Sequence, residues 1–235
     1  MTDRHLDWPA CHNYRDLGGL PVAGGQTRRG ALVRGDSPER LTAAGWTALW
    51  EYGIRTVIDL RGAGEGKPDA APRPAGLRTV RLPLDDYSVT GFWEPLRGLD
   101  CTPLYYRAFL ERFPERAVRV LAAIAGAPAG GVLVHCAGGR DRTGLIVLLL
   151  LALAGVPAEH IAEDYLLSAE RLAPLWVELG VGDQNGKVED LVLRHGTTLR
   201  DGVLTALRGL DVETYLRRNG LTDVQLAAIR ARFAA

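Results

Sequence analysis

The chain has 235 residues, 47% of them hydrophobic and 24% charged, with 28 basic side chains against 28 acidic ones. That balance suits a globular protein with a sizeable core. It excludes a general electrostatic footprint for nucleic acid or an anionic membrane, so any preference for anions has to be local.

The opening stretch, MTDRHLDWPACHNYRD, has no apolar run of the signal-peptide kind, and a cytoplasmic protein is the default expectation. A short strand is predicted at Ala31–Arg34. Ser37 then reads as the cap of a helix, with Pro38 in its first turn and Gly53 at its end. IRTVIDLR, 54–61, is a β-branched strand, and LRTVRLPL, 77–84, is another. Between them RGAGEGKPDAAPRPAG reads as a surface loop rather than a linker, because strand resumes at once. PLYYRAFLERF and ERAVRVLAAIAG are two helices parted near Pro114. GGVLVHC, 130–136, is a short buried strand. RTGLIVLLLLALAG is a helix closed by Gly155, with Pro157 beyond it, and is apolar almost all round, which places it in the core. Its uncharged part, Gly144 to Val156, is too short to span a bilayer. After Asp164 the chain reads as mainly helical, with turn signals around GVGDQNGK. Strands alternating with helices predict an α/β fold: a central, largely parallel sheet flanked by helices, as one domain over 1–235.

The junction HCAGGRDRTG is where chemistry concentrates. A strand, a glycine-rich loop and a helix start form an anion site, because successive backbone N–H groups point into one concavity and the helix dipole adds to them. Gly138, Gly139 and Gly144 let the backbone turn tightly and approach a ligand. Arg142 offers two parallel donors to phosphate oxygens, and Cys136 sits at the base of the loop, where the same field favours a thiolate. This suits attack of Cys136 on phosphorus, with Arg142 and the loop amides of Ala137, Gly138, Gly139, Arg140, Asp141, Arg142 and Thr143 holding the equatorial oxygens. A phenolate leaving group also calls for a general acid.

HCAGGRDRTG fits the HCxxGxxR[ST] signature of cysteine-dependent phosphatases. NYRDLGG at 13–19, RTVIDLR ending at Arg61, RLPLDD at 81–86 and AEDYLLS at 162–168 follow in one order. Together they resemble the bacterial tyrosine phosphatase family that includes mycobacterial tyrosine phosphatase B, over nearly the whole chain. The resemblance implies a phosphatase-type fold, no metal or other cofactor, and activity on phosphotyrosine. Phosphoserine, phosphothreonine or phosphoinositides are further candidate substrates. It implies Cys136 as nucleophile and Arg142 as phosphate binder. Arg140 stands where the family usually has lysine, a charge that would also suit a phosphorylated lipid headgroup. Asp85 and Asp141 are rival general acids. Helices cover the active site in this family, so 169–200 is expected to form a helical lid.

Other residues read more simply. His135 is expected to be packed rather than a base, Tyr105 and Tyr106 to be core, and Arg61 to pair with Glu65. Asn13, Arg15 and Asp16 are expected to brace a turn beside the loop. Thr143 either caps the helix or steadies the thiolate. The cysteines Cys11, Cys101 and Cys136 are too scattered for a disulfide framework or a metal motif. Three rival functions remain at this point: a phosphoinositide phosphatase, a rhodanese-like sulfurtransferase, which leaves Arg142 and Thr143 unexplained, and a non-catalytic phosphate-binding module. No oligomeric state follows from the sequence.

Overall fold

Apolar residues alternate along three central strands, and this alternation builds two cores on one sheet. In the computed structural model, which describes residues 4–234, Leu32, Ile58, Val132 and Val134 face one hydrophobic cluster. Val33, Val57 and Leu133 face the other, as the two-residue period of a strand requires. Residues 1–3 of the opening stretch and residue 235 of the expected domain lie outside the described residues.

In chain order the strands are β1 (Arg15–Asp16), β2 (Pro21–Val22), β3 (Gly25–Gln26), β4 (Leu32–Gly35), β5 (Ile54–Asp59), β6 (Arg78–Arg81) and β7 (Gly131–His135). Five of them form one sheet in the order β1-β4-β7-β5-β6, and β2 and β3 form a separate hairpin. β4, β5, β6 and β7 run parallel, and only β1 is antiparallel, at the edge. The α/β architecture with a largely parallel sheet is therefore as expected.

The α-helices are α1 (Ala43–Glu51), α2 (Thr90–Trp93), α3 (Tyr106–Arg112), α4 (Pro114–Ala125), α5 (Asp141–Leu153), α6 (Ala158–Glu178), α7 (Gln184–Arg194), α8 (Leu199–Leu207), α9 (Val212–Arg218) and α10 (Asp223–Phe233). α1 covers the smaller core with Trp46 and Leu49, and α5 fills the larger one, where its residues from Thr143 to Leu151 are all buried. An all-round apolar helix has no solvent face to offer, so it lies between the sheet and the outer helices α4, α6 and α9. Among the described residues no helix is long and apolar enough to cross a membrane.

The helix expected from Ser37 is split. Pro38–Arg40 make one turn of 3-10 helix, and α1 starts only at Ala43, capped by Thr42, whose side chain accepts from the Gly45 N–H. The Ser37 hydroxyl instead accepts from Arg61 Nη1 at 2.7 Å, which leaves Thr42 as the nearest free cap. The expected lid segment is likewise not a separate insertion in its first part. Residues 169–178 are the second half of α6, and α7 follows after a short turn.

Candidate active site

The candidate residues stand on the C-terminal ends of the parallel strands, where open α/β sheets bind ligands. Cys136 follows β7 directly, the loop after β5 carries Glu65, and the loop after β6 carries Asp85. From the helical side, α6 contributes Leu172 and Trp176. These elements enclose a cavity of about 200 Å³ whose lining includes Asp85, Cys136, Arg140, Arg142, Leu172 and Trp176. Cys136 lies low in it, only 4% exposed.

Of the loop glycines, Gly139 is the one whose backbone demands the residue. Its φ is +67°, and a Cβ there would fall 2.2 Å from the Gly35 carbonyl oxygen. Gly138 has neither constraint, since a Cβ would make only ordinary contact with Leu172. Gly144 is needed for packing: a Cβ would come within 2.5 Å of the Tyr106 hydroxyl.

Arg142 is sandwiched between two acids. Its Nη1 and Nη2 donate to the two oxygens of Glu65, each at 2.7 Å, and its Nε lies 3.5 Å from Asp85 Oδ2. Burial works against the guanidinium, but the Glu65 bonds and neighbouring acids outweigh it and keep the charge in place. Glu65 therefore does not pair with Arg61 as expected. Arg61 turns the other way, onto both oxygens of Asp59 and onto Glu39 and Ser37.

The two candidate acids differ sharply. Asp85 is buried, with Oδ1 unpartnered among the described residues and Oδ2 accepting only a long bond from Tyr87. Burial pushes its carboxyl up to about 6 from the ordinary 3.8, against the pull of Arg142. Asp141 has both oxygens engaged: Oδ1 accepts from Tyr165 at 2.6 Å and Oδ2 from Arg140 Nε at 3.1 Å.

Arg140 lines the cavity but is not free. Besides Asp141, it reaches Asn185 Oδ1 and the Cys101 carbonyl, at 3.5 and 3.4 Å. Thr143 does not cap α5, and its buried hydroxyl has no partner among the described residues. His135 is packed as expected: burial pushes it down to about 4, so it is neutral, and its Nδ1 donates to the Cys136 carbonyl. Tyr105 and Tyr106 are core residues. Asn13 does brace the loop, donating to the Gly138 carbonyl at 2.8 Å. Arg15 holds Asp164, and Asp16 receives the Gly18 and Gly30 N–H groups. Leu172, Trp176 and the Glu65–Arg142 pair were not foreseen. The expected cover over 169–200 includes Leu172 and Trp176 without singling them out.

The sequence profile of the tyrosine phosphatase family matches residues 6–235. The chain belongs to that family. A Cupriavidus necator protein provisionally named a tyrosine-protein phosphatase is 38% identical over 181 residues, covering 74% of this chain and 66% of that protein. A Nostoc commune tyrosine-protein phosphatase is 35% identical over 145 residues, 60% of this chain and 49% of its own. The triple specificity protein phosphatase PtpB of Mycobacterium tuberculosis is 30% identical over 206 residues, 74% of this chain and 72% of its own. The chain thus spans about two thirds of the first of these relatives and about half of the second.

Proposed function

We propose that this member of the tyrosine phosphatase family hydrolyses protein phosphotyrosine through a phosphocysteine on Cys136. One observation carries the reading: Cys136, Arg142 and a carboxyl raised to about 6, Asp85, line a single cavity. The Cys136 thiolate attacks phosphorus as the bond from phosphorus to the phenolic oxygen breaks, and Asp85 gives that oxygen its proton. Water then attacks the phosphocysteine, passes a proton to the Asp85 carboxylate, and frees inorganic phosphate and the thiolate. Arg142 and the loop amides balance the charge on the equatorial oxygens in both steps. Asp141 is the weaker candidate, since its oxygens already accept two bonds.

The depth of Cys136 beneath Leu172 and Trp176 favours a long, flat phosphotyrosine over a short phosphoserine. Phosphoserine and phosphothreonine are secondary substrates in this reading. The phosphoinositide reading leaned on Arg140, whose guanidinium is committed to Asp141, Asn185 and Cys101. A cytoplasmic site of action belongs to the same proposal and rests on three unpaired cysteines.

The test is phosphate release from a phosphotyrosyl peptide, with EDTA present, alongside a phosphoinositide in vesicles. Faster turnover of the peptide is expected. A folded protein that releases nothing from the peptide overturns the reading, and faster release from the lipid moves the substrate class to phosphoinositides.

Residues 169–200 act here as a cover whose inner wall is Trp176, held by its Nε1 donating to Asn185 Oδ1 at 3.1 Å. Trp176→Ala is expected to raise KM for the peptide roughly fivefold, with kcat much less affected, because one aromatic contact is worth on the order of 1 kcal/mol. An unchanged KM would remove Trp176 from the substrate wall.

A further inference from the structure

Four consecutive carbonyls of the loop are gripped from outside the cavity. The Ser37 N–H donates to the Ala137 carbonyl at 2.9 Å. Asn13 Nδ2 donates to Gly138 at 2.8 Å. Arg34 Nη2 donates to Gly139 at 2.7 Å and also to Arg140 at 3.1 Å. A trans peptide carries its C=O and the following N–H on opposite sides, and no cis peptide is present among the described residues. Each carbonyl drawn outward therefore turns the next N–H inward. Gly138, Gly139, Arg140 and Asp141 present those N–H groups, and none donates to another described group. A row of inward amides is what an anion cradle requires.

The two side-chain grips share one anchor. Asp164, on α6 and fully buried, accepts from Arg34 Nη1 at 2.7 Å, Arg15 Nε at 3.1 Å and Arg4 Nη2 at 2.8 Å. Arg15 in turn donates to Asn13 Oδ1, which leaves the Asn13 amide nitrogen facing Gly138. Arg34 is a planar fork used at both ends, one nitrogen on the anchor and the other on the loop. Lysine, a single point donor, cannot serve both. Asn13, Arg15, Arg34 and Asp164 are each at most 1% exposed, so water does not substitute for a missing grip.

We propose that Arg34 and Asn13 are positioning residues for the phosphate loop, held by Asp164, which keep its carbonyls outward so that its amides meet the phosphate. This rests on the phosphatase reading above. Neither side chain touches substrate. Their effect passes through the orientation of three peptide units, those of the Gly138, Gly139 and Arg140 carbonyls.

The full chain carrying Arg34→Lys or Asn13→Ala tests this against wild type. The readouts are Ki of inorganic phosphate and orthovanadate against an aryl phosphate, kcat, and melting temperature with and without saturating phosphate. Displacing oxyanion donors by a fraction of an ångström is expected to raise both Ki values about 10- to 100-fold and to lower kcat. The rise in melting temperature caused by phosphate should shrink accordingly. A merely structural role would lower the ligand-free melting temperature and leave Ki where it was, and folded variants with wild-type Ki overturn the inference. Where Arg34→Lys does not fold, Asn13→Ala decides alone, because it removes the Gly138 donor and the Arg15 acceptor but no charge. A wild type that neither binds oxyanions nor turns over sinks the phosphatase reading and this inference together. A wild type that binds, beside variants that match it, sinks this inference only.

Discussion

Cys136→Ser is expected to lower turnover of a phosphotyrosyl peptide by on the order of 10⁵-fold or more, the scale of losing a covalent nucleophile, with peptide binding close to wild type. The asymmetry follows from what the substitution leaves intact. Arg142, its Glu65 partner and the loop amides do not involve the sulfur, so the phosphate still has its seat. A serine hydroxyl has to lose its proton before it can attack, and in that step Asp85 is in its acid form and takes none. His135 is the nearest imidazole in sequence, but its Nδ1 is on the Cys136 carbonyl and its Nε2 lies 3.8 Å from Asp59. Burial also keeps that ring neutral at about 4, a poor proton acceptor. Phosphate release measured with titration calorimetry on the same peptide separates the two effects. A variant that turns over within tenfold of wild type would mean that water attacks directly and that Cys136 is only a wall residue. Loss of binding together with turnover would mean that sulfur shapes the loop.

The parts of this site that could be read in the sequence are those the chain keeps contiguous. Cys136, Gly139 and Arg142 lie on one strand-to-helix junction, and the β-branched runs and the all-round apolar α5 fix the layers on either side of it. Ligand chemistry and fold class follow from such local patterns. Glu65 on Arg142 does not, because 77 residues separate them and their meeting depends on where the loop after β5 returns. Ser37 and Thr42 both satisfy the pattern of a helix cap. The choice between them was made by Arg61, which takes the Ser37 hydroxyl. Arg34 reads only as the end of a strand, and its grip on two loop carbonyls exists because β4 lies next to β7 in the sheet. Asp85 and Asp141 were equivalent as carboxylates. The fold separated them by giving Asp141 two donors and leaving Asp85 with a buried, unpartnered oxygen.

That separation makes Asp85→Asn the variant with opposite effects on activity and stability. Removing a general acid costs about 10²–10⁴-fold where the leaving group needs its proton. The loss is therefore expected on phosphotyrosine and is expected to be far smaller on a nitrophenyl ester, whose ring carries the charge itself. In wild type the acid form is lost as pH rises through about 6, and a bound dianion moves that limb higher by like-charge repulsion. The limb is expected to vanish in the variant. Stability runs the other way. The folded carboxyl, at about 6, holds its proton more tightly than the ordinary 3.8 of an unfolded chain. Below about pH 4 both states are protonated and the site is neutral in its effect. Between there and about pH 6 the unfolded chain ionises first, so stability falls as pH rises. Two pH units correspond to about 3 kcal/mol as an upper bound, which asparagine at that position relieves. Melting curves are expected to coincide near pH 4 and to place the variant several degrees higher at pH 8. A descending activity limb that survives in Asp85→Asn would transfer the acid role to Asp141. A variant no more stable than wild type at pH 8 would mean that Asp85 ionises in the fold at its ordinary value, and a buried proton donor would then have to be sought elsewhere.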